Sequence, residues 1–140
     1  MRYLGLDLGS KTLGIAISDK TNTIASVLET IVFKNEDYSV LINSLEKIIV
    51  DNEITDIVLG LPKNMDNTIG KRAEITLEFK KMIEDNLKIE VHLIDERLTS
   101  VISNNVLIEA DISRKKRKTV VDGMAAVIIL QSFLDKERNR

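Results

Sequence analysis

The chain has 140 residues, with 44% hydrophobic and 30% charged residues, which suits one soluble globular domain spanning residues 1–140 and leaves no room for a second. It has no cysteine, which excludes disulfides, thiolate metal sites and a thiol nucleophile, and its single histidine, His92, argues against a zinc site. Net charge is −2, but five of the 20 basic residues are consecutive at 114–118, so the rest of the chain carries 15 positive against 22 negative charges, or −7.

The N-terminus MRYLGLDLGSK lacks the extended apolar region of a signal peptide, and the longest apolar run, MAAVIIL at 124–130, is too short to span a bilayer. A cytoplasmic location without membrane attachment is therefore expected. Residues 2–8, 12–18 and about 23–33 are apolar and β-branched, separated by the turn sequences GSK and DKTN, and read as an antiparallel meander. Leu41, Leu45, Ile48 and Ile49 then recur at helical spacing between Glu36 and Asn52. TDIVLGL at 55–61 is a short strand closed by Pro62. A helix follows at about 71–87 with the stripe Ile75, Phe79, Met82 and Ile83, and then a strand, IEVHLID, at 89–95. Further helices are predicted at about 99–110 and from Thr119 to Lys136. Helical crossovers imply parallel pairing of the later strands, so the fold class is α/β, a mixed five-stranded sheet with helices on its faces.

Three acids stand where acids are costly. Asp7 lies in YLGLDL, a strand apolar on both faces and hence central in the sheet, where a carboxylate needs a partner. It could bond the turn amides of Gly9 and Ser10; alternatively, Gly5 and Gly9 leave the backbone open beside it for a ligand. Asp95 and Glu96 end the fifth strand, where ligands gather in open α/β sheets, and only one of the two can face a given side. A local pair of Glu96 with Arg97 is the plainer alternative. Asp122 shares a helical face with Ala125, Ala126, Ile129 and Phe133, so it points coreward, although Thr119 and Asp122 also form a T-x-x-D helix cap. Ala125 and Ala126 let this helix lie close to the sheet. Carboxylates without a His or Cys cluster suit magnesium or manganese, and two such ions hydrolyse phosphodiesters. Arg114, Lys115, Lys116, Arg117 and Lys118 stand just before Asp122, placed to hold a phosphate backbone rather than to form a solvated loop. His92 reads as a packed or surface histidine rather than a general base, and Met65 as a packing residue or a substrate wedge.

DLGSKTLGIAISD at 7–19, GLPKNMDNTIG at 60–70, DERLTS at 95–100 and DGMAAVIILQSFL at 122–134 resemble, in order, the motifs of the YqgF/RuvX family. The resemblance implies an RNase H-like fold, kinship with Holliday junction resolvases, and a nuclease processing the 5′ end of pre-16S ribosomal RNA. It matches Asp7, Glu96 and Asp122 to the acids that hold Mg2+ or Mn2+, with Asp95 as the alternative to Glu96. Lys11, Lys63, Arg97 and the 114–118 run then become nucleic-acid contacts. The chain departs from the pattern at Asn67, Thr68 and Ile69, and at Thr12, where arginine is common. Junction resolution needs two sites and so a homodimer, which no sequence feature establishes. Two other readings compete. The first is a phosphotransferase of the actin and sugar-kinase type, which needs two such domains. The second is a noncatalytic nucleic-acid or protein-binding module.

Overall fold

The computed structural model describes residues 2–9, 11–34, 37–62, 70–95 and 114–138, with side chains in the last segment from Gly123 to Glu137. Among the described residues five strands, β1 (Arg2–Leu8), β2 (Thr12–Ser18), β3 (Ala25–Val32), β4 (Ile54–Leu61) and β5 (Glu90–Asp95), are joined with three helices, α1 (Tyr38–Asn52), α2 (Lys71–Leu87) and α3 (Arg114–Arg138). The sheet order is β3-β2-β1-β4-β5. β1 and β2, and β2 and β3, pair antiparallel as hairpins, whereas β4 pairs parallel to β1 and β5 parallel to β4. This is the expected mixed sheet with β1 at its centre. The helix expected at 99–110 falls outside the described residues.

Alternation along the strands divides the core in two. Leu4, Leu6 and Leu8 of β1, Ile57 and Leu59 of β4, and Val91 of β5 join Leu41, Leu45, Phe79 and Ile83 of α1 and α2 on one face. Ala16, Ala25 and Val58 meet Ala126, Ile129, Leu130 and Leu134 of α3 on the other. Helices thus cover both faces, as the alternation of strand and helix implies. Most of the stripe read for the last helix is buried: Ala126 and Ile129 fully and Ala125 nearly so, while Phe133 is half-buried and Leu130 and Leu134 complete the face.

Gly5 permits this second layer. A Cβ built there would lie 2.6 Å from the Leu130 Cβ and 2.9 Å from the Ala126 carbonyl oxygen. The expectation that Gly5 leaves backbone open for a ligand is therefore corrected: α3 fills that space. Gly9 serves the hairpin, donating its N–H to the Thr12 carbonyl at 2.8 Å.

The last helix is already running at Arg114, more than a turn before the expected start at Thr119. Lysine and arginine are good helix formers, so a charged run continues a helix as readily as it makes a loop. Thr119 and Asp122 consequently lie within the helix, and the T-x-x-D cap does not apply.

Both α1 and α2 end on a residue in the left-handed region, Glu53 (φ 55°) and Lys88 (φ 54°), where glycine is favoured. Replacing Lys88 by Gly removes that strain, and we expect stabilisation of about 0.5–1 kcal/mol, read as a higher urea midpoint at unchanged slope. Gly5→Ala has the opposite sign. Its methyl meets a backbone oxygen that cannot move independently, so we expect a loss of about 1–3 kcal/mol in the same measurement.

Candidate active site

Parallel pairing of β1, β4 and β5 brings their carboxyl ends to one edge of the sheet. Asp7 is the penultimate residue of β1, opposite Gly14 of β2 and half-buried. It shares strand parity with Tyr3 and Gly5, both of which touch α3, so its carboxylate lies on the α3 face. Among the described residues nothing hydrogen-bonds that carboxylate. The Gly9 amide, the nearer of the two expected turn partners, is committed to Thr12. Ser10 lies outside the described residues.

The direction of α3 follows from its contacts. The Phe133 ring lies 5.6 Å from that of Tyr3, near the start of β1, while Ala126 and Leu130 cover Gly5. The helix therefore runs antiparallel to β1. Position 122, one turn before Ala126, comes at the Asp7 end, because one helical turn advances about as far as two strand residues.

Asp95 closes β5 opposite Leu61 and is half-buried. It has the parity of Val91, which packs with α1 and α2, whereas Ile94 packs with α3. Asp95 thus faces away from the Asp7 side. Lys11 is exposed in the β1–β2 turn, and its carbonyl accepts the Phe33 N–H at 2.9 Å. Arg114, Lys115, Lys116, Arg117 and Lys118 occupy helical backbone at the start of α3. Lys63, Glu96 and Arg97, and the side chains of Asp122 and of the basic run, lie outside the described residues. Of the three nominated acids, the structure describes the carboxylate of Asp7 alone.

Two features escaped the sequence. Arg72, in the first turn of α2, donates from Nη2 to the Leu8 carbonyl at 3.0 Å, beside Asp7. A charged donor on a backbone acceptor contributes about 1.5–3 kcal/mol. Nothing in the local sequence marks an arginine whose partner is a distant main-chain oxygen.

The other lies at the opposite end of the sheet. The β4–β5 register sets Asp56 beside Glu90 and Val58 beside His92, so ligand atoms of Asp56, Glu90 and His92 fall within 4.8 Å of one another and could hold a metal ion. His92 Nε2 is 3.2 Å from the Asp56 carboxylate, and its half-buried ring lies 5.0 Å from Phe133 and 6.4 Å from Tyr3, so of the packed and surface readings the packed one describes it. Burial, and then Asp56, Glu137 and Glu90, push the Tyr3 hydroxyl above its ordinary pKa. This end is acidic but carries none of the nominated residues.

A groove of about 510 Å3 runs between the edge strand β3 and α1, lined by Leu28, Lys47 and Asp51, away from Asp7. No helix among the described residues is long and apolar enough to cross a membrane.

A family model described as RuvX, Holliday junction resolvase, matches residues 1–136. The chain belongs to this family. Among RuvX-like relatives, a protein of Geobacillus sp. (strain WCH70) is 49% identical over 138 residues, covering 99% of this chain and all of the relative. One from Bacillus subtilis (strain 168) is 48% identical over 135 residues, covering 96% of this chain and 98% of the relative. Both bear the name "Putative pre-16S rRNA nuclease". Among solved structures, the chain is similar to T. thermophilus RuvC in complex with a Holliday junction substrate, with a TM-score of 0.63 at 11% identity over 99% of this chain and 96% of that one. It is also similar to the fowlpox virus resolvase in complex with Holliday junction DNA, with a TM-score of 0.60 at 14% identity over 98% and 99%. These similarities show the fold, which is RNase H-like as the motifs implied.

Proposed function

We propose that this RuvX-family chain is a metal-dependent nuclease that hydrolyses phosphodiester bonds in the 5′ leader of pre-16S ribosomal RNA, with its active site at the carboxyl edge of β1, β4 and β5. The observation that carries this reading is Asp7: a half-buried carboxylate on the central strand, without a hydrogen-bond partner among the described residues. An anion so placed calls for a cation. Oxygen donors fit magnesium or manganese, which keep open positions for water and phosphate.

Asp122 supplies the second carboxylate in this reading. Its position on α3 falls at the level of Asp7, and the helix running through it leaves its acid unexplained as a cap. Glu96 is the third in this reading, since the half-buried Asp95 takes the parity of the α1 and α2 core, away from Asp7. When bound, the ions would supply activated water and neutralise charge on the departing oxygen. In this reading the protein's own contribution is to present carboxylate oxygens from separate elements of the fold, Asp7 from the central strand β1 and Asp122 from α3. Arg114, Lys115, Lys116, Arg117 and Lys118, with Lys11, Lys63 and Arg97, bind the sugar–phosphate backbone.

Ribosomal RNA precursor is preferred over junction DNA because the two relatives described above, similar over nearly their whole length, carry that name. The protein works in the cytoplasm in this reading. The test is cleavage of a 5′-extended 16S precursor and of a four-way DNA junction, with Mg2+ or Mn2+ and with chelator. We expect chelator-sensitive cleavage of the RNA, and a loss of about 100-fold or more in Asp7→Asn at unchanged circular dichroism. Cleavage by Asp7→Asn at the wild-type rate would refute the proposal, and faster cutting of the junction would transfer it to DNA.

A further inference from the structure

Arg72 meets a carbonyl that the sheet itself cannot satisfy. The Gly9 N–H bonds the Thr12 carbonyl, so the odd residues of β1 bond toward β2 and the even ones, Leu4, Leu6 and Leu8, toward β4. The parallel register pairs Leu6 with Leu59. The pairing ends there; continued by two residues it would set Leu8 opposite Leu61, and the ladder donor for the Leu8 carbonyl would be the amide of residue 62. That residue is Pro62, the chain's single proline, which has no N–H. Leu8 and Leu61 are both buried, so water is a poor substitute. The Arg72 guanidinium takes the vacant place at 3.0 Å from a helix that has no other polar link to β1 among the described residues.

We propose that Arg72 is a positioning residue for the nuclease reaction: it bonds the Leu8 carbonyl beyond the end of the β1–β4 pairing, where Pro62 offers no amide, and thereby fixes the end of β1 that carries Asp7. The inference rests on the assignment of Asp7 to the metal site. Asp7 is one residue from the clamped carbonyl, and its own main chain bonds β2 on the other side, so beyond Leu6, where the β4 pairing ends, β1 is held from both flanks only while Arg72 is in place. Without the clamp, β1 frays from its carboxyl end. The Asp7 carboxylate then loses the placement that in-line displacement demands, where an error of about 1 Å costs on the order of 100-fold.

Restoring the missing amide tests this. Arg72→Ala should lower kcat by about 10- to 100-fold while KM stays within about twofold, and Arg72→Lys should recover part of the loss. Adding Pro62→Ala to Arg72→Ala returns an N–H opposite Leu8, and kcat should recover to within about threefold of wild type. The Leu8 carbonyl-carbon NMR resonance should move in the single variant and return in the double. If Arg72→Ala does not fold, Arg72→Gln with and without Pro62→Ala makes the same comparison. Undiminished kcat in Arg72→Ala overturns the proposal. So does a double variant in which the Leu8 resonance returns but kcat does not, because Arg72 then acts on substrate directly. If no variant, nor the wild type, cleaves anything, the functional reading fails, while the Leu8 resonance still decides whether the clamp exists.

Discussion

Contact between α3 and β1 at Gly5 is the constraint on which the rest of the molecule depends. With the Leu130 Cβ and the Ala126 carbonyl inside the volume a side chain would need, the helix sits against the central strand at backbone distance. That contact fixes where α3 lies, and the ring pair of Tyr3 and Phe133 fixes which way it runs. Position 122 then arrives at the end of β1 that carries Asp7. A larger residue at position 5 would lift the helix and separate two elements that the chain brings together from its opposite ends.

The sheet has two polar ends with different characters. At the carboxyl edge, Asp7 stands on a buried strand with no hydrogen bond or ion pair to its carboxylate among the described residues. At the other end, Asp56 is bonded to His92 and to the Thr55 hydroxyl, so much of its charge is already engaged. Both ends could attract cations. The proposed chemistry belongs at the first because parallel strands open their carboxyl ends to ligands, and because the start of α3 brings a run of five basic residues to that side.

Much of this was legible in the chain itself. The meander of β1 and β2 and the helix α2 were readable to the residue, because GSK and Gly70 punctuate them and their apolar periods are clean. Asp7 stood out as a charge within an apolar strand. The start of α3 is not legible in the sequence, because Thr119 and Asp122 imitate a cap while the lysines and arginines before them favour helix as readily as loop. At Gly5 the sequence shows that a side chain is missing but not that Leu130 and Ala126 occupy its place. Asp56, Glu90 and His92 come together only through the β4–β5 register, and Arg72 answers a main-chain oxygen, so neither could be read from residue identity.

Paramagnetic broadening by Mn2+ tests the central claim most directly, because it reports where the metal binds without requiring the right substrate. Substoichiometric Mn2+ added to 15N-labelled protein should first erase the amide signals of Asp7, Leu8 and Gly9, and Asp7→Asn should preserve them. Broadening that begins instead at Asp56, Glu90 and His92, and ignores the Asp7 substitution, would contradict the account.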